Sequence, residues 1–195
     1  KKTKQYQARR NFKKEKESSS DIKKFIKDLE IKPKVANLSD KFIHRASQMT
    51  IKTNQFNFRT QRYTVDEMKD FVKSNKTIGF IASIKDKFGD HGTVGLAMLE
   101  KINNQDFFLK NYLISCRILG RKFEFWFFNY IFNFFLIKKK NIIIEDLKIN
   151  KNILLKDFFL NFFKKSIEKK RINLNENFCF KVELGELNNK YDKIY

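Results

Sequence analysis

Residues 107–147 leave this chain few choices of fold. An alternating stretch, Phe107–Ser115, leads through Arg117-Ile118-Leu119-Gly120 into an apolar, helix-like stretch, Phe123–Ile137, and then into the apolar run Asn141–Leu147. A strand that returns to a strand through a helix makes a right-handed crossover, so these two strands lie parallel in one sheet. The turn between the first strand and the helix has a further consequence. It aims free backbone N–H groups and the positive end of the helix dipole at one place, which suits an anion such as a pyrophosphate. A thiol, Cys116, and two guanidinium groups, Arg117 and Arg121, stand at that place.

Before this unit the period is first helical and then strand-like. Ile22, Phe25, Ile26 and Leu29 repeat at helical spacing behind Ser18-Ser19-Ser20, which offers an N-cap, and the only proline, Pro33, ends that unit. A second short helix follows Ser39-Asp40, with Phe42, Ile43, Ala46 and Met49 on one face. Thr64-Val65-Asp66-Glu67 is a capping box and opens a helix that turns Met68, Phe71 and Val72 inward. Thr77–Lys85 and Thr93–Leu99 then predict a hairpin with a long connection, 86–92, containing two glycines. A further helix over about 152–165 and a last strand at Phe178–Leu184 complete the pattern. The fold class that follows is α/β (α+β): a mixed, mostly antiparallel sheet with helices on both faces, preceded by an N-terminal helical linker.

The net charge of +20 comes from 42 basic and 22 acidic residues among 195, and it asks for an anionic partner. The lysines are spread along the chain rather than gathered in a stripe, and no nucleic-acid motif accompanies them, so specific nucleic-acid binding is not expected. A phosphorylated cofactor or an acidic carrier protein suits the charge. Cys116 and Cys179 fall in different predicted elements and make neither a disulfide framework nor a metal spacing, which points to a reducing, cytoplasmic compartment and no metal. The stretch 123–137 is short for a membrane span and carries Glu124, Asn129 and Asn133, so it is expected to be a core helix.

Arg117-Ile118-Leu119-Gly120-Arg121-Lys122 resembles the acyl-CoA pyrophosphate loop of the GNAT N-acetyltransferase superfamily, whose pattern is Gln/Arg-x-x-Gly-x-Gly/Ala. Lys122 departs from the final small residue. Four blocks in order, Thr53-Asn54-Gln55-Phe56-Asn57, Thr60-Gln61-Arg62-Tyr63, Phe88-Gly89-Asp90-His91-Gly92 and Ser115–Arg121, resemble the C-terminal half of the FkbH-like proteins. Those proteins join a haloacid-dehalogenase-type (HAD) phosphatase domain to a GNAT-like acyltransferase domain. The resemblance runs from about Tyr6 to Val182. It implies a GNAT-like acyltransferase domain over 18–185 that moves an acyl or glyceryl group from CoA or a phosphorylated donor to a carrier-protein thiol or a small acceptor. Acyl-CoA or acyl-phosphopantetheine is then the ligand, and acyl carrier protein and an upstream HAD-like domain are the partners. Residues 1–17 would end that upstream domain or link to it, and 186–195 form a polar tail. No Asp-x-Asp followed by Thr is present, so phosphatase chemistry is not assigned to these residues.

Cys116 is the candidate nucleophile. A thiol can take an acyl group as a thioester, and Arg117, Arg121 and the helix N-terminus favour its thiolate. The alternative is a small hydrophobe at a strand end. His91 is the candidate general base with Asp90 orienting its ring, or else both shape the hairpin turn. Arg117, Ile118, Leu119, Gly120, Arg121 and Lys122 would hold the donor phosphates. Asn54, Gln55 and Asn57 would hold an amide-rich arm such as pantetheine while Phe56 packs, or form a polar turn. Arg62 would anchor a phosphate or carboxylate, or join a surface ion pair. A non-catalytic module that docks a carrier protein is the alternative function.

Overall fold

A computed structural model of the chain describes residues 2–145, 153–155, 157–158, 170–174 and 177–182. Two helices lead, α1 (Lys2–Ser18) and α2 (Ile22–Asp28). The cap of α2 is Asp21 rather than one of the serines: its carboxylate accepts the N–H groups of Lys23 and Lys24 at 2.8 and 3.2 Å. A carboxylate at this position also meets the helix dipole, which a hydroxyl does not. Strand β1 (Lys32–Asn37) follows and contains Pro33, which therefore opens a strand as well as ending a helix. An edge strand leaves one side of its backbone unpaired, so a residue without an N–H is tolerated there. Helices α3 (Ile43–Lys52) and α4 (Val65–Lys73) come next, α4 with both bonds of the Thr64/Glu67 capping box in place.

The rest is strand-dominated: β2 (Thr77–Asp86), β3 (Gly89–Lys101), β4 (Asp106–Ile114), then α5 (Phe123–Ile137), β5 (Asn141–Glu145), β6 (Lys170–Leu174) and β7 (Asn177–Val182). Among the described residues they form one seven-stranded sheet in the order β1-β2-β3-β4-β5-β7-β6. Only β4 and β5, joined through α5, are parallel. Strand β6 has no counterpart in the sequence pattern. Of the helix expected at 152–165, residues 153–155 and 157–158 are helical; its other residues, and the tail 186–195, lie outside the described residues.

The long connection expected at 86–92 is instead a turn of two residues, Lys87 and Phe88. The strands absorb the surplus as bulges. The register passes from Ile84↔Gly92 to Lys85↔Asp90 and leaves His91 as the extra residue. The two glycines serve the strand, not a loop: Gly89 and Gly92 take φ of 127° and 62°.

Two apolar clusters face opposite sides of the sheet. One joins α1, α2 and α5 to Phe80, Ala97, Tyr112 and Ile142; the other joins α3 and α4 to Ile81, Leu96, Met98 and Leu113. Helix α5 presses so closely on β3 that a Cβ on Gly95 would stand 2.9 Å from Phe127 Cε1. A bulge at Lys110 in β4, between the pairs Leu99↔Leu109 and Met98↔Asn111, switches which residues face which cluster. Phe107 and Leu109 face α5, whereas Leu113 faces α3 and α4.

Candidate active site

Strand β4 hands over to α5 through a single 3-10 turn, Cys116–Ile118, and the Gly120 bend. Ser115 N–H donates to the Val94 carbonyl at 2.8 Å and pins the start of this turn to β3. Cys116 is half-buried with a free thiol. Gly120 takes φ of 89°, and Lys122, which departs from the small residue of the resembled pattern, also takes a left-handed φ of 62°. A side chain at such a position is strained by about 1–2 kcal/mol, which explains why a small residue suits it. The Lys122 side chain turns away from the bend, with its ammonium 5.2 Å from the centre of the Phe125 ring.

Something else covers the bend. Helix α1 crosses it, so that a Cβ on Gly120 would stand 3.1 Å from Lys16 Nζ and 3.6 Å from the Phe12 ring. The Phe12 ring lies 3.9 Å from the Arg121 guanidinium, and Glu15 pairs with Lys87. Arg121 itself is fully buried, donating from Nε to Asp86 Oδ2 at 2.7 Å. The sequence places Arg121 on a ligand; the structure spends its charge on Asp86. A buried cation without a carboxylate costs several kcal/mol, which is why this arginine has a partner of its own.

Asp86 also accepts from or shares a proton with His91, Nε2 to Oδ1 at 2.8 Å. The residue that orients His91 is therefore Asp86, not Asp90. Asp90 closes the turn, accepting the Gly92 N–H at 2.8 Å and pairing with Lys85. The two-residue turn brings about the exchange, because the hairpin bends earlier than its glycines suggest. Burial pushes the Asp86 carboxyl up, and the hydrogen bonds and charges of His91 and Arg121 outweigh it, holding the group below the usual carboxylate range. His91 is 3% exposed, and its Nε2 contact goes to Asp86 rather than to Cys116.

At the start of α5, Glu124 is buried with Oε2 lacking a hydrogen-bond partner among the described residues. Burial pushes its carboxyl up, against a hydrogen bond from its own backbone and the charges of Lys122 and Lys16. The positive end of α5 thus already has an acid from its own first turn.

The block around Asn57 lies elsewhere on β4. Beyond Phe108↔Ile143 the parallel pair parts. Into that gap runs the loop after α3: Phe58 N–H donates to the Tyr112 carbonyl at 3.0 Å, and Ile114 N–H to the Phe56 carbonyl at 2.9 Å. Asn57 is buried and shapes this loop, donating to the Thr53 carbonyl and accepting the Thr60 N–H, each at 3.0 Å. Phe56 and Phe58 pack on Tyr112 and Phe158, and Arg59 closes the gap on the β5 side through Glu145 at 2.6 Å. Asn54, Gln55 and Arg62 are exposed, and Arg62 forms no ion pair among the described residues. Ser47 and Thr50 hold the Tyr63 backbone at 2.8 and 3.0 Å. The Tyr63 hydroxyl, pushed up to about 12 chiefly by burial, has no hydrogen-bond partner among the described residues.

The sequence pattern thus brings Cys116, Arg117, Gly120 and Lys122 to one bend, keeps Asn54, Gln55, Asn57 and Arg62 in a separate loop, and misses Asp86, Arg45, Lys16 and Glu124. Arg45 of α3 donates to the Thr93 carbonyl at 2.8 Å, and Arg117 donates to the same oxygen at 2.7 Å. Only the parity of a shorter turn would have exposed Asp86, and no local signal marks the other three. Among the described residues no helix is long and apolar enough to cross a membrane, and no group of three or more His, Cys, Asp or Glu is placed to hold a metal.

No protein-family model matches this chain, and no curated protein sequence matches it. Solved structures do match its fold. A spermidine N-acetyltransferase chimera, SpeG from Vibrio cholerae with hSSAT, is similar with a TM-score of 0.56 and 14% identity, covering 83% of this chain and 98% of that one. The spermidine N-acetyltransferase from Vibrio cholerae in complex with CoA and spermine gives 0.54 at 14% identity over 76% of this chain and 92% of its own. The ribosomal-protein-S18-alanine N-acetyltransferase from Escherichia coli gives 0.52 at 7% identity, over 78% and 95%. What is shared at these identities is the fold, a mixed α/β arrangement of the GNAT type.

Proposed function

We propose that this chain is an acyltransferase that carries the acyl group on Cys116. The observation that carries the proposal is a half-buried free thiol at the β4–α5 handover, beside Arg117, in a fold shared with N-acetyltransferases. The thiolate adds to the acyl carbonyl; an S–C bond forms, and the bond to a phosphate or thiolate leaving group breaks. The proton released when the thiolate forms is returned through solvent to the departing group. A carrier-protein thiol then attacks the Cys116 thioester and restores the free cysteine. The second step exchanges one thioester for another, so it is close to balanced in free energy. In this proposal α1, whose Phe12 packs in the main core, belongs to the transferase unit, and acyl carrier protein is the acceptor.

Two features favour a short phosphorylated donor over a CoA thioester. An extended arm of amides would pair with the free edge of β4, but Phe56 and Phe58 use that edge at Tyr112 and Ile114. In a short acyl phosphate the phosphoryl group is bonded to the reacting carbonyl, so a donor held beside Cys116 is oriented at once, whereas the thioester of an extended pantetheine lies at the far end of its arm.

The test is labelling by acetyl phosphate and by acetyl-CoA, followed by mass mapping. One acetyl group on Cys116, absent in Cys116→Ser, is expected, with acetyl phosphate the faster donor. If Cys116→Ser passes acyl groups to a carrier-protein thiol at the parent rate, the covalent relay is wrong. One observation favours the docking alternative: an apolar cleft of about 230 Å³ lined by Trp126, Tyr130, Asn133, Phe134 and Ile137 beside Lys138, Lys139 and Lys140. A donor at one hundred times its Kd adds about 2.7 kcal/mol to stability. Carrier-protein binding with no shift in melting temperature from either donor would support docking.

A further inference from the structure

Helix α5 is apolar on more than the side that packs on the sheet. Phe127, Phe128, Ile131 and Phe135 are buried in the main core. Trp126, Tyr130, Asn133, Phe134 and Ile137 follow at helical spacing on a second side and line a cleft of about 230 Å³. Tyr130 is 39% and Ile137 82% exposed. Aromatic contacts fix the floor: the Phe80 ring of β2 lies 4.9 Å from Phe134 and 6.3 Å from Tyr130. A surface helix normally turns polar residues to water, and one that is apolar almost all round has a cover.

Charge selects the cover. Lys138, Lys139 and Lys140 follow Ile137 at one end of the cleft, and the Lys138 ammonium lies 4.9 Å from the centre of the Phe134 ring, on the rim. Lys138 and Lys139 are exposed and form no ion pair among the described residues, and no acidic residue among them lines the cleft. A second copy of this chain fits poorly. Paired side by side in one direction, two α5 helices set lysine against lysine; in the other they set the lysines against Lys122 and the positive start of the helix. A lipid surface fits poorly as well, because the apolar groups line a hollow rather than a ridge, and the lysines stand at one end rather than along both flanks.

We infer that the α5 cleft receives an amphipathic helix of a partner protein, running antiparallel to α5 with an acidic first turn over Lys138 and Lys139. Three preferences agree on that direction. Acidic side chains suit the first turn of a helix, the positive start of the partner helix meets the negative end of α5, and the carboxylates meet the lysines. From Trp126 to Ile137 the cleft runs ~16 Å at ~1.5 Å per residue, so it takes about three turns of helix, held by apolar anchors at helical spacing. Its Trp126 end lies in the first turn of α5, next to the Gly120 bend, so the partner helix ends on the side from which α5 leaves the Cys116 turn. That this helix belongs to the acyl acceptor rests on the acyl-relay reading; the docking itself does not.

The test uses the whole chain, whose only tryptophan is Trp126, and a synthetic helical peptide without tryptophan that carries a leucine stripe and glutamates in its first turn. Ionic strength is held constant because a net charge of +20 attracts any anion. Trp126 emission should shift to the blue and saturate. Ile137→Gln should weaken binding at least tenfold, whereas Ile51→Gln, an exposed change on α3, should leave it as in the parent. Lys138→Glu with Lys139→Glu should weaken the glutamate peptide and gain binding of the same peptide with first-turn lysines. Should Ile137→Gln fail to melt cooperatively, this charge exchange decides. No saturable shift in the parent, or parent-like binding in a folded Ile137→Gln, overturns the docking. So does a shift from phosphatidylserine vesicles with none from the peptide, which would make the cleft a lipid contact, or self-association of the parent that Ile137→Gln abolishes, which would make it an interface between copies. Peptide binding without acyl labelling of Cys116 keeps the docking and discards the relay, and labelling without peptide binding does the reverse.

Discussion

The ring of Phe12 lies 3.9 Å from the guanidinium of Arg121, so the N-terminal helix is fastened to the bend that follows β4. This one contact joins a residue the sequence leaves in a charged linker to a residue it places on a ligand. Around it Phe12 also packs edge-on against Phe88 and tilted against Phe25, which makes α1 part of the core rather than an appendage.

Replacing Phe12 with alanine should therefore destabilise the whole domain by about 3 kcal/mol, the usual cost of emptying a buried aromatic site. Urea unfolding followed by far-UV circular dichroism reads it. A loss under about 1 kcal/mol would mean that α1 is not docked on the bend.

Asp86→Asn strips a fully buried arginine of its carboxylate, at an expected cost of about 3–5 kcal/mol, while Asp90→Asn, on an exposed ion pair, should cost less than about 1 kcal/mol. The pH dependence has a definite sign. The folded-state pKa of Asp86 lies below its unfolded value near 3.8, so the unfolded chain binds the proton first as pH falls. Stability from this group is complete above that value and is lost as pH drops toward the lower folded one. Melting temperature against pH should show this acid limb in the parent and a shallower one in Asp86→Asn.

Glu124 has the opposite sign. Burial raises its folded-state pKa above the unfolded value near 4.5, so the unfolded chain releases the proton first as pH rises. Ionisation then costs stability above that value. Glu124→Gln should melt higher than the parent at neutral pH, and the gain should vanish in acid. An unchanged or lower melting point at neutral pH would show that the ionised carboxylate supports the start of α5.

Asn57→Ala removes one buried and one part-buried hydrogen bond that shape the loop on β4, for an expected loss of about 2 kcal/mol. Hydrogen exchange should rise most at the amides of Phe58 and Ile114, which carry the loop-to-strand bonds. Faster labelling of Cys116 by acetyl-CoA in this variant would show that the loop keeps long donors off β4.

Much of the architecture is visible locally. The capping box at Thr64, the alternation leading into Ile114 and the apolar stretch 123–137 each stand where the pattern puts them. Strand β1 is hidden because Lys32-Pro33-Lys34 carries neither alternation nor β-branching, and it becomes a strand only by pairing with β2. The hairpin length is hidden because glycines mark positive φ, and bulges inside a strand demand that as much as a loop does.

The sequence alone determined the crossover, the bend at Gly120 and the thiol beside it, because these follow from spacing within some forty residues. Which groups meet the charges there was decided only in three dimensions. Asp86 neutralises Arg121, Lys16 arrives from α1, and Arg45 arrives from α3 to face Arg117. Each partner lies far away along the chain, and the cost of burying an unpaired charge depends on what packs next to it, which no local pattern encodes.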